Sequence, residues 1–273
     1  MEKNFEKLKK RLEELVEDGV ILAFSGGVDS ALLLHVLASI NPNKTIAFTF
    51  ENPLMKTREI EEASKLCKSY GIEHIIRSET DIPDEIKENP IDRCYLCKKH
   101  IFNTIHAERV KQGFKYIVDG TNADDIKVYR PGIKALKELG IKSPLMELGI
   151  TKDEVRKLAA ELGISTHSKP SSPCMATRIP YEKTLSMKLF KALEKIENGL
   201  QEMGFKNIRA RAHDELIRLE LDEEDLVEAV EKRKQIIELI KECGFNYISL
   251  DLEGFRSGSM DISLEKEDSG LRL

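Results

Sequence analysis

The amino-acid sequence predicts an α/β protein: a doubly wound parallel sheet followed by a smaller α+β domain. Three observations support this fold class. Short apolar runs alternate with helical patterns through the first half of the chain. A glycine-rich loop directly follows the first run, a position typical of ligand-binding turns at the edge of a parallel sheet. After about residue 165, a proline-rich stretch interrupts the periodicity.

The first half is predicted to consist of single strands separated by helices. The apolar positions of segment 5–16 have helical spacing, so this segment is predicted to be an amphipathic helix. Four short apolar runs are consistent with strands of a buried parallel sheet. The strands are predicted at 20–24, 44–50, 72–76 and 116–119, and further helices at 31–40, 53–70, 92–112 and 151–163.

The domain boundary is predicted in the proline-rich stretch, because residues 167–180 hold three of the nine prolines. We therefore expect a first domain at 1–168 and a second at 169–273. The second domain is predicted to be small and α+β, and it includes the loop that carries Cys174. Its elements are predicted as a helix at 187–203, strands at 207–213 and 215–221, a long charged helix at 223–243 and a strand at 246–250.

Composition excludes several classes of protein. The chain has 273 residues with 43 Lys and Arg against 48 Asp and Glu, and its net charge is −5. A mildly acidic chain has no overall attraction to nucleic acid. No apolar run approaches the ~18 residues that span a bilayer, and the first residues lack a signal-peptide pattern. Five cysteines are an odd number, so a complete internal disulfide framework is not expected. These features predict a cytoplasmic protein with reduced cysteines.

The loop after the first predicted strand has the features of a phosphate site. Two glycines, Gly26 and Gly27, let the backbone turn its N–H groups toward an anion at a helix N-terminus. Ser25 and Ser30 add hydroxyl groups, and Asp29 can hold Mg²⁺ or orient the loop. The alternative is an ordinary strand–helix turn. The pattern is neither a Walker loop, since no Gly-Lys-Ser/Thr follows, nor Gly-x-Gly-x-x-Gly.

The cysteines divide into two groups. Cys67 and Cys243 lie on predicted helices and are expected to be packing residues. Cys94 and Cys97 have a two-residue gap that lets both thiols face one metal or cluster, and Cys174 lies in the proline-rich loop. We predict that these three ligate a 4Fe-4S cluster with one open iron. A zinc site completed by His100, a redox dithiol and uncoordinated thiols are the alternatives.

The segment SGGVDS at 25–30 resembles the SGGxDS pyrophosphate loop of the N-type ATP pyrophosphatases. This resemblance implies a PP-loop domain of the adenine nucleotide α-hydrolase-like fold, which binds ATP with Mg²⁺ and cleaves it between the α and β phosphates. The segment DGTNADD at 119–125 is similar to the second nucleotide signature of these enzymes, and it implies that Asn122 and Asp125 also bind the nucleotide. Its alternative reading is a turn rich in Asp and Asn.

Four motifs together resemble the LarE family: NPIDRCYLCK at 89–98, DGTNADD at 119–125, PCMATR at 173–178 and LEGFRSG at 252–258. The resemblance implies an ATP-dependent sulfurtransferase of nickel-pincer nucleotide biosynthesis. Such an enzyme adenylates a carboxylate of pyridinium-3,5-dicarboxylate mononucleotide and converts it to a thiocarboxylate. Cys174 matches the sulfur-donating cysteine of members that form dehydroalanine. Cys94 and Cys97 match the additional pair of members with a 4Fe-4S cluster, so this subtype is predicted.

A small anionic mononucleotide is the expected substrate, and arginines are its expected ligands. Strand alternation places Arg209 and Arg211 side by side on one face, which suits a phosphate or a carboxylate. Arg178 is a further candidate, and the alternative is a solvated strand face. The sequence specifies neither the sulfur donor nor whether the chain forms a homo-oligomer.

The residues alone are also compatible with three other functions. A tRNA thiolation enzyme of the PP-loop superfamily also combines this loop with CxxC and a third cysteine, but the acidic composition does not favour RNA binding. An amide-forming ATP pyrophosphatase with a structural zinc would use the same nucleotide site. A non-catalytic nucleotide-binding sulfur carrier would release no pyrophosphate. Neither a nucleic-acid partner nor a membrane partner is expected.

Overall fold

The computed structural model describes residues 2–54, 58–127, 131–169, 173–256 and 258–260. The chain forms two compact units. The first contains residues 1–85 and 92–172, and the second contains residues 86–91 and 173–273. No helix among the described residues is long and apolar enough to cross a membrane.

The first unit is built on a four-stranded parallel sheet. Its strands are β1 (Val20–Ala23), β2 (Thr45–Glu51), β3 (Glu73–Ser78) and β4 (Tyr116–Val118), in the spatial order β3-β2-β1-β4. The first strand is central, since Val20 pairs with Thr45 on one side and with Tyr116 on the other. The four strands coincide with the four predicted apolar runs within two residues at each end, so the predicted parallel sheet is confirmed.

The helices of the first unit connect these strands. They are α1 (Glu2–Val16), α2 (Val28–Ile40), α3 (Arg58–Ser69), α4 (Asp84–Lys87, whose last two residues belong to the second unit), α5 (Arg93–Lys111), α6 (Pro131–Glu138), α7 (Pro144–Glu147) and α8 (Lys152–Glu161). The prediction that a helix begins at Pro53 is wrong. The Asn52 carboxamide oxygen accepts the Leu54 N–H at 2.9 Å and holds this segment in a turn.

Packing on both faces of the sheet confirms the doubly wound architecture. Successive residues of β1 point to opposite faces, and Leu22 and Ile21 belong to separate apolar clusters. The Leu22 cluster includes Leu33 of α2 and Val155 of α8, whereas the Ile21 cluster includes Phe102 of α5. A strand buried on both faces must be apolar throughout, which explains the unbroken Val-Ile-Leu-Ala sequence of β1.

The second unit has a three-stranded mixed sheet, so its predicted α+β class is confirmed. It contains α9 (Met187–Glu202), β5 (Arg209–His213), β6 (Leu216–Glu220), α10 (Leu226–Glu231), α11 (Arg233–Glu242) and β7 (Tyr247–Leu250). The central strand β6 pairs antiparallel with β5 and parallel with β7.

The prediction of one long helix at 223–243 is wrong. The helix is interrupted at Lys232, whose ψ angle of 8° ends α10 before α11 begins. The Lys232 ammonium group donates a hydrogen bond to the Met203 carbonyl oxygen at 2.6 Å and lies 5.4 Å from the centre of the Phe205 ring. Neither glycine nor proline marks this break, so the local sequence contains no signal for it.

A short segment from the first half of the sequence belongs to the second unit. Asn89 is completely buried, and its carboxamide N–H groups donate to the carbonyl oxygens of Ile179 (3.0 Å) and Pro180 (2.7 Å). The Asn89 carbonyl oxygen in turn accepts the Glu182 N–H at 3.0 Å. These contacts explain why residues 86–91 group with 173–273. The functions assigned above to the two domains stay predictions.

Candidate active site

The predicted phosphate loop lies between β1 and α2 and has a defined hydrogen-bond pattern. Gly26 has a φ angle of +71°, a backbone conformation that residues other than glycine rarely adopt. The Ser25 hydroxyl accepts the Gly27 N–H at 3.4 Å and lies 3.2 Å from the Ser30 hydroxyl, which donates to the Gly27 carbonyl oxygen at 3.1 Å. The two serines therefore shape the turn at the N-terminus of α2, where N–H groups favour an anion.

The second predicted signature lies directly against this loop. A Cβ atom added at Gly120 would lie 3.0 Å from the Ser30 backbone nitrogen and 3.1 Å from the Asp29 Cβ. Both distances are shorter than ordinary van der Waals contact, so a side chain at this position would require the phosphate loop to shift by a few tenths of an ångström. The structure thus brings together the two nucleotide signatures predicted from the sequence, which are about 90 residues apart along the chain.

The Asp29 carboxylate contacts one polar and one cationic side chain from distant segments of the chain. The Asn122 carboxamide donates to one carboxylate oxygen of Asp29 at 3.2 Å, and the Lys152 ammonium group forms a short contact with the other. Asn122 is a predicted site residue, but Lys152 is not. The sequence pattern identified Thr151–Glu154 only as a capping box, which the structure confirms at the start of α8.

Asp125 shapes the turn that carries Asn122. Its carboxylate accepts the Asn122 N–H at 3.0 Å. The neighbouring acid, Asp124, accepts the Lys152 N–H at 2.8 Å, which satisfies a backbone donor at the start of α8. The side chains of Asn122 and Asp124 therefore connect this signature to the phosphate loop and to α8, respectively.

Asp119 is a buried acid that the residue-level prediction missed. One carboxylate oxygen accepts the Thr121 hydroxyl at 2.5 Å, and the other accepts the Ser143 hydroxyl at 2.5 Å. The Lys98 ammonium group lies 3.9 Å from the first of these oxygens. The position of Asp119 directly after β4 is the signal that could have identified it, because ligands bind at the carboxyl ends of parallel strands.

Cys94 and Cys97 lie three residues apart in the first turns of α5. The Cys94 side chain is exposed and the Cys97 side chain is partly exposed. The predicted alternative ligand His100 uses its Nε2 atom in a 2.9 Å contact with the Glu79 carboxylate. Among the described residues, no three His, Cys, Asp or Glu side chains are grouped closely enough to hold a metal ion.

The two other cysteines occupy sites of low reactivity. Cys67 is completely buried, and desolvation raises the pKa of its thiol to about 12. Burial also raises the pKa of the Cys243 thiol, which lies at the end of α11. A raised pKa reduces the thiolate fraction near neutral pH, which disfavours both thiols as sulfur nucleophiles.

Cys174 lies in the second unit, and its loop is held by a buried ion pair. The Cys174 side chain is exposed, whereas Arg178 and Glu197 are each 1% exposed. The Arg178 guanidinium donates two hydrogen bonds of 2.9 Å to the Glu197 carboxylate and a third, of 2.8 Å, to the Pro173 carbonyl oxygen. Every nitrogen of this guanidinium is thus engaged, so Arg178 positions the Cys174 loop.

Arg211 fixes the same turn from the sheet. Its Nη1 atom donates to the Thr177 carbonyl oxygen at 2.8 Å, and its Nη2 atom donates to the completely buried Glu220 carboxylate at 2.7 Å. The Nε atom is buried and has no hydrogen-bond partner in the described part of the chain. A buried N–H group without an acceptor has a cost in free energy.

A cluster of buried charges surrounds Arg211, although a solvated strand face was one expectation. Arg218 of β6 is paired in register with Arg211 and contacts Glu220 at 3.1 Å. The Arg209 guanidinium lies 4.9 Å from the centre of the Phe255 ring. Desolvation, followed by the charge of Arg178, lowers the pKa of Arg209 to about 10. Glu197 and Glu220 were missed by the sequence reasoning, since single acids in a charged chain give no signal.

Comparisons with known proteins agree with this organisation. The PP-loop domain family matches residues 1–126. An uncharacterized protein of Synechocystis is 34% identical over 97% of this chain and 100% of its own length. An uncharacterized protein of Methanocaldococcus jannaschii is 32% identical over 92% of this chain and 96% of its own length.

A third relative has a named activity. The pyridinium-3,5-bisthiocarboxylic acid mononucleotide synthase of Lactiplantibacillus plantarum is 32% identical over 90% of both chains. This similarity extends through both structural units, beyond the PP-loop domain itself. The chain therefore belongs to the LarE family of PP-loop enzymes and is an ATP-using sulfurtransferase.

Proposed function

We propose that this enzyme converts a carboxylate of pyridinium-3,5-dicarboxylate mononucleotide to a thiocarboxylate in the biosynthesis of the nickel-pincer nucleotide cofactor. The observation that carries the proposal is the exposed Cys174 thiol on a loop that two arginines hold. Arg178 binds the Pro173 carbonyl oxygen and Arg211 binds the Thr177 carbonyl oxygen, one on each side of the cysteine. The named relative supports the substrate, because the similarity covers nearly the whole chain.

The first step is adenylation over the phosphate loop. A substrate carboxylate oxygen attacks the α-phosphorus of ATP, the bond to the bridging oxygen breaks, and pyrophosphate leaves. The N–H groups at the start of α2 and the hydroxyls of Ser25 and Ser30 bind pyrophosphate oxygens. Asp29 offers carboxylate oxygens, the ligands that Mg²⁺ prefers, and would hold this ion beside the phosphates. Asn122 keeps the Asp29 carboxylate oriented.

The second step replaces the adenylate with sulfur. The Cys174 thiolate attacks the acyl carbon, and AMP leaves with its oxygen, so that a thioester forms. Removal of the Cys174 Cα proton then breaks the Cβ–S bond. The products are the thiocarboxylate and a dehydroalanine at position 174. The exposed location of Cys174 suits this reaction, since the thiol must reach the activated substrate.

A second route for the sulfur keeps Cys174 intact. Cys94, Cys97 and Cys174 are all accessible thiols, and three thiolates are a donor set that fits a 4Fe-4S cluster. When bound, such a cluster would offer an open iron site for exogenous sulfide. We therefore propose the cluster-dependent subtype, with Cys94, Cys97 and Cys174 as the ligands and the dehydroalanine route as its alternative.

Arg209 and Arg211 are the proposed ligands of the substrate phosphate. Three further buried nitrogen atoms without partners in the described part of the chain belong to the same charged region: those of His213 (Nε2), Arg218 (Nε) and Arg256 (Nε). Several unpaired N–H groups and a partly desolvated guanidinium together favour an anion. Arg178 was predicted as a further anion ligand. Because its nitrogens are bonded to Glu197 and to the loop, we assign it to positioning Cys174 instead.

Mass spectrometry of the protein before and after turnover tests the proposal. The substrates are ATP and the dicarboxylate mononucleotide, and released pyrophosphate and thiolated product are measured in parallel. Loss of one sulfur with dehydroalanine at position 174 supports the sacrificial route. An unchanged protein mass with thiolated product supports cluster delivery. Pyrophosphate release with tRNA or ammonia, and none with the mononucleotide, would contradict the proposed substrate.

The cluster itself is tested by anaerobic purification, followed by iron and sulfide analysis and electron paramagnetic resonance. C94S and C97S are expected to lose iron, whereas the matched variant C243S is expected to retain it, because Cys243 is a partly buried thiol outside the proposed site. A colourless, iron-free protein with full, multiple-turnover activity would refute the cluster. The cytoplasmic location stays a prediction.

A further inference from the structure

A chain of side-chain hydrogen bonds crosses the sheet of the first unit and ends at the phosphate loop. It begins at Ser64 of α3, whose hydroxyl lies 3.2 Å from Nδ1 of His74 in β3. The Nε2 atom of the same imidazole lies 2.7 Å from the hydroxyl of Thr49 in β2. The Thr49 hydroxyl donates to the carbonyl oxygen of Phe24 at 2.7 Å, and Phe24 directly precedes Ser25, the first residue of the loop. Strand β3 and helix α3, which contribute no residue to the loop, are thereby connected to it.

The donors and acceptors of this chain follow from their chemistry. A carbonyl oxygen only accepts, so the single hydroxyl proton of Thr49 is used in the bond to Phe24. The Thr49 oxygen then accepts a hydrogen bond, and its donor is the Nε2–H group of His74. In a neutral imidazole the other nitrogen carries no proton, so Nδ1 accepts the Ser64 hydroxyl. Desolvation lowers the pKa of His74, which favours this neutral form.

Burial makes the bond to Phe24 costly to lose. Thr49 is 1% exposed and Phe24 is 2% exposed, so water does not replace the hydroxyl at little cost. The imidazole of His74 also packs against the Phe24 ring in an edge-to-face arrangement, with the ring centroids 6.1 Å apart. His74 therefore holds Phe24 at two points: directly at its ring and, by way of Thr49, at its backbone.

The orientation of the Phe24 carbonyl group determines the direction of the first N–H group of the loop. The peptide bond between Phe24 and Ser25 is planar and trans, so the Ser25 N–H points opposite to the Phe24 carbonyl oxygen. The Phe24 N–H is itself held by the Phe48 carbonyl oxygen at 2.8 Å. Because both backbone polar groups of Phe24 are engaged, the chain enters the loop in one orientation.

We propose that His74 is a positioning residue of the nucleotide site: through Thr49 it fixes the peptide between Phe24 and Ser25 and so directs the Ser25 N–H toward pyrophosphate oxygens. An N–H group that is oriented in advance binds an anion without a further cost of ordering the backbone. His74 itself touches neither ATP nor pyrophosphate. The inference rests on the proposed nucleotide site and is independent of the sulfur-transfer step.

Equilibrium binding of Mg²⁺-pyrophosphate and of α,β-methylene-ATP, measured by calorimetry, tests the proposal. Thr49→Val removes the hydroxyl with little change of shape, and His74→Leu removes the donor to that hydroxyl. Each is expected to weaken both affinities about three- to tenfold, the range for loss of one neutral hydrogen bond. Thr49→Ser and His74→Gln keep the required polar group and are expected to retain most of the affinity. Unchanged affinity in Thr49→Val would overturn the proposal.

Two comparisons separate positioning of the loop from a general loss of stability. The double variant Thr49→Val with His74→Leu is expected to bind within about twofold of Thr49→Val alone, because both substitutions interrupt one connection. The matched control is His35→Leu, since His35 is also a partly buried histidine, and its 3.0 Å hydrogen bond to Tyr70 involves no residue of the loop. This control is expected to lower stability against urea without lowering affinity. Additive losses in the double variant, or an equal loss of affinity in His35→Leu, would contradict the role of His74.

The proton on the His74 imidazole can be located in the unmodified protein by long-range ¹H–¹⁵N nuclear magnetic resonance. The proton is expected on Nε2, and its resonance is expected to shift when Mg²⁺-pyrophosphate is added, while that of His35 stays constant. A proton on Nδ1 instead would contradict the direction of the hydrogen-bond chain. If the unmodified protein binds neither ligand, the nucleotide site itself is wrong. Binding that is insensitive to Thr49 and His74 rejects only the positioning role.

Discussion

Substitution of Glu197 tests whether the buried ion pair determines the geometry of the Cys174 loop. The Glu197 carboxylate accepts two hydrogen bonds of 2.9 Å from Arg178 and another from the Ala210 N–H at 3.2 Å. Glu197→Gln leaves one oxygen acceptor and turns an NH₂ group toward a buried guanidinium. Arg178 then keeps a positive charge without a buried counterion.

The expected loss in free energy of unfolding follows from this burial. Removal of one partner of a buried ion pair costs about 3–5 kcal/mol, and both partners are almost completely buried here. This is a large part of the roughly 5–15 kcal/mol that stabilises a typical domain. The double variant Arg178→Met with Glu197→Leu removes both charges. We expect it to be more stable than the sum of the single substitutions by about 2 kcal/mol, within the range of contacting residues.

Urea denaturation followed by circular dichroism measures these free energies, with the m-value checked for each variant. In parallel, alkylation of Cys174 by iodoacetamide is expected to accelerate in Glu197→Gln, because Arg178 no longer holds the Pro173 carbonyl oxygen in one position. Lys195→Met is a suitable control, since Lys195 lies on the same helix in an exposed pair with Glu242. A loss of less than about 1 kcal/mol, or strict additivity of the two substitutions, would refute this reasoning.

Two further substitutions and one labelling experiment test other parts of the site. Gly120→Ala is expected to weaken ATP binding at least about tenfold, because the added Cβ would force the phosphate loop away from its present position; unchanged affinity would show that the loop can adapt. Arg211→Glu is expected to abolish use of the mononucleotide while nucleotide affinity stays within about twofold; equal loss of both would indicate misfolding. In alkylation at pH 8, Cys94 and Cys174 are expected to react within minutes and Cys67 only after unfolding, because burial raises the Cys67 thiol pKa to about 12; early labelling of Cys67 would contradict this.

Local sequence patterns were sufficient to predict the fold class, the glycine loop and the capping box of α8. Strands of a parallel sheet are buried on both faces, so each appears as a short apolar run, and all four runs predicted in the first half became strands. The glycine loop and the capping box at Thr151 are also local, because each is defined by contacts within four residues. The structure adds that Gly120 brings the second signature onto the first.

The features that the sequence did not predict have a common cause. The break at Lys232 depends on a bond to Met203, 29 positions away, and the placement of residues 86–91 depends on Asn89 contacts with carbonyl groups 90 positions away. Likewise, Arg178 pairs with Glu197 because folding places this carboxylate beside its guanidinium group. A charged residue in a chain with 33% charged residues carries no local sign of its partner.

The sequence by itself determined the parallel sheet, the glycine loop that begins after β1, and the packing role of the buried Cys67. The tertiary structure alone decided which side chains contact Asp29 of that loop. Asp29 and Lys152 are 123 positions apart, and only the packing of α8 against α2 brings their side chains together. Periodicity and turn chemistry act over a few residues and can be recognised along the chain, whereas an ion pair depends on the folded positions of both partners.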